Sequence, residues 1–182
     1  MTKPSVSPPQ DLTLLELELD RFRYNRYQNV SIGVWAGQAQ LESVRRVQGI
    51  SRHMIEAYPG GHSSIVFVLD GAPAPTPEAQ AGFATMMDPN KSALACIAVI
   101  VEGQGFWASG IRSSITQARI ASPGAIKLRV HDTIEEVLEW FPDEHHKRTG
   151  VKIARRELRL ALETSRALAA SADDAPHFSV LP

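Results

Sequence analysis

The sequence predicts an α/β domain: a mostly parallel sheet with helical cover, followed by one further helix. Three observations carry this. Residues 93–101 are apolar without a break, as in a strand covered on both faces. The run stops at Gly103-x-Gly105, and Phe106 and Trp107 then open a segment of helical spacing, so a buried strand feeds a helix across a tight turn. Elsewhere, short apolar or alternating stretches trade places with helical periodicity, the pattern of parallel strands joined by crossover helices.

The elements follow in order. Residues 1–10 contain Pro4, Pro8 and Pro9 and read as a disordered lead to a domain over 11–142. Leu15, Leu17 and Leu19 alternate with Glu16, Glu18 and Asp20, a half-buried strand pattern, although Leu12, Leu15, Leu19 and Phe22 also share a helical face. Val30, Ile32 and Val34 alternate up to Trp35, and the two segments read as a hairpin. Leu41, Val44, Val47, Met54, Ile55 and Tyr58 recur at helical spacing, and Pro59-Gly60-Gly61 ends that helix. Residues 65–69 form a short apolar strand ending at Asp70-Gly71. Thr76-Pro77-Glu78 starts the next helix, with Thr76 as the cap, Pro77 at the first helical position and Glu78 at the positive end of the dipole. Ala79, Phe83, Met86 and Met87 form its apolar stripe.

After the 93–101 strand, a helix from residue 106 turns Trp107, Ile111, Ile115 and Ala118 inward and breaks at Pro123-Gly124. Ile126, Leu128 and Val130 make the last alternating strand. Asp132 to Glu135 reads as a capping box that opens a helix carrying Ile134, Val137, Leu138 and Phe141. The order is β-β-α-β-α-β-α-β-α. Residues 143–150 (DEHHKRTG) read as a charged linker and 151–170 as an amphipathic helix. Its less polar side holds Val151, Ala154, Leu158, Ala161, Leu162, Ser165 and Leu168. Residues 171–182 read as a flexible tail.

Composition narrows the function. With 182 residues, 43% of them hydrophobic, the chain builds a core without staples. Nineteen basic and twenty acidic residues nearly cancel, which argues against a dedicated nucleic-acid binder. Cys96 is the one cysteine; it excludes an intrachain disulfide, fits a reducing compartment and reads as a small buried apolar residue. The N-terminus lacks the apolar core of a secretory signal, and the longest apolar run, nine residues, is too short to span a bilayer. The expectation is a cytoplasmic protein without stable membrane insertion.

No catalytic constellation stands out. Gly103-x-Gly105 after a strand invites a dinucleotide reading, but the next glycine is Gly110 and bulky Phe106 and Trp107 occupy the approach. A tight turn is the simpler account. The helix N-terminus beyond it can hold an anion or a partner's carboxylate, and Arg112, with Ser113, Ser114 and Thr116, can add bidentate recognition. His145-His146 beside Asp143 and Glu144 lacks the ligand spacing of a metal site. Glu135 and Glu136 are consecutive on a helix and point apart. Gly-x-Ser-x-Gly and P-loop motifs are absent from the sequence. No enzyme activity, cofactor or metal is expected.

Residues 30–37 (VSIGVWAG), 65–70 (IVFVLD), 76–87 and 134–141 (IEEVLEWF), in this element order, resemble the STAS domain, the fold of the bacterial SpoIIAA-like anti-sigma-factor antagonists. The resemblance covers residues 12–142. It implies a non-enzymatic signalling or docking module with a protein partner. In that family a Ser or Thr at the start of the second helix is phosphorylated and binding is turned off. Thr76 is the hydroxyl residue at the matching place, but Ala74-Pro75-Thr76-Pro77 replaces the family's Asp-Ser/Thr-Ser/Thr-Gly run. Asp70, Thr76, Trp107 and Arg112 are then the candidate partner contacts. The C-terminal helix offers a second docking element, or a homodimer contact through its leucine side. An alternative from another class is a carrier for a lipid or nucleotide. It rests on a looser likeness to the CRAL-TRIO-like fold and on the apolar residues around Phe106, with Gly103, Gly105, Phe106, Arg112 and Ser113 as candidate ligand contacts.

Overall fold

The computed structural model describes residues 11–18, 22–86, 94–104, 106–121 and 126–171. Six strands form one sheet in sequential order: β1 (Leu12–Glu18), β2 (Phe22–Tyr27), β3 (Val30–Trp35), β4 (His62–Val68), β5 (Leu94–Val101) and β6 (Lys127–His131). β1, β2 and β3 form an antiparallel meander, and β3 to β6 run parallel. Helices α1 (Leu41–Ala57), α2 (Pro77–Met86) and α3 (Phe106–Ala121) make the crossovers, with α4 (Ile134–Thr149) and α5 (Arg155–Ser171) following. Because successive parallel strands are also neighbours, right-handed crossovers lay α1, α2 and α3 on one face of the sheet.

Strand alternation divides the core accordingly. Ile32, Val34, Ile65, Phe67, Cys96, Ala98 and Ile100 pack under Val137, Leu138 and Phe141 of α4 and Leu158, Ala161 and Leu162 of α5. On the other face, Phe22, Tyr24 and Trp35 meet Val44, Val47, Ile50 and Met54 of α1 and Ala79 of α2. Ile97, Val99, Val101 and Leu128 meet Ala108 and Ile111 of α3.

The α/β class, the mostly parallel sheet and the added C-terminal helix agree with the sequence reading. Four details differ. The hairpin partner of β3 is β2, a strand the reading passed over, and the Leu15 segment pairs beyond it as the edge strand β1. In FRYNRY, two arginines and an asparagine hide the strand, yet Phe22 and Tyr24 enter one core and Tyr27 the other. The capping box of α4 is shifted by one residue: Thr133 is the cap, its Oγ1 accepting from Glu136 N at 3.3 Å, while Glu136 Oε2 accepts from Asp132 N at 3.0 Å.

The expected linker is helix. α4 runs through Pro142 to Thr149 and ends at Gly150, whose φ of 76° suits a left-handed cap. The charges that suggested a linker act as helix determinants: Glu144 pairs with Arg148 at 2.5 Å across one turn, and His146, Lys147 and Arg148 lie at the negative end of the dipole. Finally, α5 starts at Arg155, so Val151 and Ala154 precede it, and Leu168 is exposed. The expected tail over 171–182 begins one residue too early, since Ser171 ends α5; the rest of it and the expected lead over 1–10 lie outside the described residues.

Candidate functional site

The α1–α3 face of the sheet does not close completely. α2 packs chiefly on α1, and between these helices, α3 and the sheet lies a cavity of about 290 Å³. Its floor is Trp35, Val66, Val68, Ile97, Val99 and Leu128, and its roof includes Val47, Phe83, Ile111 and Ile115. Ala72, Pro73, Ala74 and Pro75, the loop between β4 and α2, complete the wall. Pro73, Ala74 and Gln80 line the cavity and are also exposed, which places its opening at that loop and the first turn of α2. None of the lining residues is Asp, Glu, Lys, Arg or His. The polar side-chain groups in the wall are those of Tyr24, Trp35, Ser64 and Gln80, and Gln80 Nε2 already donates to Pro75 O at 3.0 Å.

One end of the cavity is aromatic. Phe22, Trp35 and Phe83 stack edge to face, with Phe22–Trp35 centroids 4.3 Å apart and Trp35–Phe83 centroids 5.7 Å apart. The loop over the opening is held at both ends. Gln38 Nε2 donates to Ala74 O at 3.0 Å, and Thr76 N donates to Ala39 O at 3.0 Å.

Of the residues singled out in the sequence, three come together at the carboxyl ends of β4 and β5. Arg112 Nη2 donates to Val101 O at 3.0 Å, reaches Gly103 O at 3.4 Å and pairs with Asp132 Oδ1 at 2.8 Å. The guanidinium therefore clamps the end of β5 to the start of α4. Gly103 has a φ of 84°, and the Asp70 carboxylate lies where its Cβ would be, so a side chain there is excluded on two counts. Thr76 does what the sequence reading assigned as a cap: its Oγ1 accepts from Ala79 N at 3.3 Å. Thr76→Ala is expected to lower stability by about 1 kcal/mol, seen as a small drop in the thermal midpoint; an unchanged midpoint would remove the capping role. Ser113 is exposed on α3. Gly105 and the side chains of Phe106 and Trp107 lie outside the described residues. None of Gly103, Arg112 and Ser113 lines the cavity.

A second cluster was not legible in the sequence. His145, expected in a solvated linker, is fully buried on the opposite face of the sheet. Its Nδ1 lies 2.8 Å from Ser63 Oγ and its Nε2 lies 3.0 Å from Asn29 Oδ1. Asn29 Nδ2 donates to Gly61 O at 3.0 Å, so Oδ1 is the acceptor and Nε2 carries the proton. Nδ1 then accepts from the Ser63 hydroxyl, which in turn accepts from the Cys96 thiol at 3.3 Å. Burial pushes the imidazole down to about 4 and the thiol up to about 11, so both are neutral near pH 7. Asparagine, histidine and serine are the residue types of a hydrolytic relay. Here all three are sealed, with Ser63 and His145 at 0% exposure and Asn29 at 2%, and the array ties α4 to the sheet.

The less polar side of α5 faces inward: Leu158, Ala161, Leu162 and Ser165 are all buried. Arg159 bonds Glu135 of α4, and Arg166 bonds Glu102 in bidentate fashion, at 2.5 and 2.9 Å. The helix folds back on the domain; of the leucine side named for a homodimer contact, Leu158 and Leu162 are buried within the chain and Leu168 is exposed. Among the described residues no helix is long and apolar enough to cross a membrane, and no cluster of side chains is arranged to hold a metal.

No family model and no curated protein matches this chain. Among solved structures it is similar to an uncharacterised protein of the DUF3478 family from Shewanella loihica, described as having a SpoIIAA-like fold. The two share 10% identity with a TM-score of 0.47, over 74% of this chain and 98% of that one.

Proposed function

We propose that this protein is a non-catalytic binding module that takes up a small apolar molecule in the cavity between the sheet and α1, α2 and α3. The observation that carries this reading is the cavity itself, about 290 Å³ with an almost wholly apolar wall. That is roughly twice the volume of an engineered cavity of about 150 Å³ that takes up benzene. Filling such a space with matching apolar atoms is worth on the order of several kcal/mol. Shape and apolarity supply the affinity, and the absence of charged side chains from the wall selects against ions. Of the two carrier ligands named from the sequence, this wall favours the apolar chemistry of a lipid over that of a nucleotide.

The test uses purified full-length protein and the fluorescent apolar probe N-phenyl-1-naphthylamine. Saturable binding is expected. Val66→Phe on the floor and Ile111→Phe in the roof, both lining residues, are expected to weaken it at least tenfold while the melting temperature holds or rises. Absence of saturable binding by the wild type would overturn the proposal, as would undiminished binding by both filled variants in folded form.

A second reading keeps the protein-docking module that the STAS resemblance implies, in a bacterial signalling pathway. What supports it is the position of Thr76, half-buried as the cap of α2 at the end of the loop that walls the cavity. Ligand uptake and partner docking would then share one loop. Capture of the same partner by wild type, Thr76→Glu and Arg112→Ala alike would dismiss that surface.

A further inference from the structure

The strand registers give the cavity a direction. Its floor takes Trp35 from β3, then Val68, Val66 and Ser64 from β4, then Val99, Ile97 and Leu94 from β5, and Leu128 from β6. Trp35 shares a row with Val68, and Leu128 shares one with Ile97 and Ser64, which comes four residues before Val68 in β4. The floor therefore descends toward the amino ends of the strands as it passes from β3 to β6. Four residues make about 13 Å along the strands and three strand spacings about 14 Å across them, so the diagonal is about 20 Å long from backbone to backbone. The roof follows the same line: α3 descends from the carboxyl end of β5, and Ile115 lies one turn beyond Ile111. The mouth is at the Trp35 end, where Gln38 and Ala39 hold the loop of residues 72–75. The three rings of the wall, Tyr24, Trp35 and Phe83, belong to this end as well. Beyond it, β4, β5, β6 and α3 line the cavity with aliphatic side chains and the Ser64 hydroxyl, which is already bonded to Ser31 at 3.1 Å.

We infer that the ligand of this cavity is a single unbranched alkyl chain, inserted tail first along the diagonal with its polar head left at the mouth. The inference rests on the apolar-ligand reading above and names the class of ligand. Roughly twice the volume that takes one benzene ring is here drawn out over about 20 Å, which makes a channel rather than a chamber. A chain can follow such a channel with every methylene against the wall. A wide ring of the same apolar area cannot, and it forfeits the contacts at one end or the other. The head group finds no charged side chain in the wall, so burying it has nothing to offset its loss of water. At the mouth, Pro73, Ala74 and Gln80 are exposed, and a head group beside them stays hydrated.

The probes are 1-hexanol, 1-octanol, 1-decanol and cyclododecanol, the last an uncharged alcohol of apolar area similar to decanol but closed into a wide ring. Their affinities for the full-length protein are measured by calorimetry. Along the linear series affinity is expected to rise roughly three- to fourfold per methylene, and 1-decanol is expected to bind at least about tenfold more tightly than cyclododecanol. Leu128→Phe narrows the far end. It is expected to weaken 1-decanol at least about tenfold and to leave 1-hexanol within about twofold, with melting curves to confirm folding. Cyclododecanol binding as tightly as 1-decanol would overturn the inference, as would an equal loss of both linear alcohols in folded Leu128→Phe. Either result leaves the apolar cavity standing, because N-phenyl-1-naphthylamine reports on it separately. If neither the alcohols nor that probe bind, the cavity reading fails with the inference. Should Leu128→Phe not fold, the comparison of 1-decanol with cyclododecanol in the wild type decides alone.

Discussion

His145→Ala is expected to destabilise the protein by about 3–5 kcal/mol, the largest effect of any substitution outside the apolar core. The side chain is fully buried, and its ring stacks on Phe141 with centroids 5.7 Å apart. Its removal strands two polar groups at once: the Ser63 hydroxyl loses the acceptor at Nδ1, and Asn29 Oδ1 loses the donor at Nε2. Each costs roughly 1–3 kcal/mol when left buried and unpaired, and the space left by the ring adds a packing loss. Thr149 Oγ1, 3.2 Å from Nε2, also bonds the His145 carbonyl at 2.9 Å and survives the change. Denaturant titration should show a lower midpoint at unchanged slope. Asn29→Ala combined with His145→Ala should cost less than the sum of the two, since they share one bond. A loss below about 1 kcal/mol, or strict additivity, would show that the array does not fasten α4.

Stability is expected to fall steeply as the pH drops from about 6.5 toward 4. His145 and His62 are both buried, and both are pushed down to about 4 by loss of water. His62 Nδ1 has no partner among the described residues. The groups facing His145 are Ser63 and His62 on β4, Cys96 on β5, Asn29 at the β2–β3 turn, and His146 and Thr149 on α4. None of them is a carboxylate that would hold the proton. Above pH 6.5 the folded and unfolded chains are both neutral at these sites, and the full stability is present. Between 6.5 and about 4 only the unfolded chain takes up protons, so stability declines, by up to about 1.4 kcal/mol per pH unit for each histidine. The two together remove on the order of 5 kcal/mol by pH 4, comparable with the whole stability of an ordinary domain. His131 is shifted in the same direction and adds to the loss. Glu144, held below the usual carboxylate range by Arg148, contributes at lower pH, with stability lost as the carboxylate protonates. Urea midpoints at pH 7.5, 6.0 and 4.5 measure the slope. A flat profile between pH 7 and 5 would mean that these imidazoles are hydrated in the folded state.

Local pattern was sufficient for most of the frame. The continuous apolar run became β5, the alternation at Val30, Ile32 and Val34 became β3, and Thr76 caps α2 as its Thr-Pro-Glu context required. These are determined by neighbours a few residues away, and period and capping chemistry record them in the chain itself. The α/β class, the mostly parallel sheet and the presence of a C-terminal helix were legible for that reason.

What only the tertiary structure decided is every property that joins residues far apart. His145 reads as solvated because its neighbours are Glu144, His146 and Lys147, yet α4 turns it inward onto Asn29 and Ser63, 116 and 82 residues away. Arg112 reads as an anion binder and is held by Asp132 and two carbonyls. Gly33 reads as one more small residue in a strand, and its meaning lies in the Tyr24 ring placed across it by β2 pairing. The cavity has no signature in the order of residues, since its wall is drawn from five strands, three helices and two loops. Local periodicity specifies which face of an element is buried; only the packing of elements decides whether two buried faces meet completely, and here those of the sheet and the crossover helices leave a space between them.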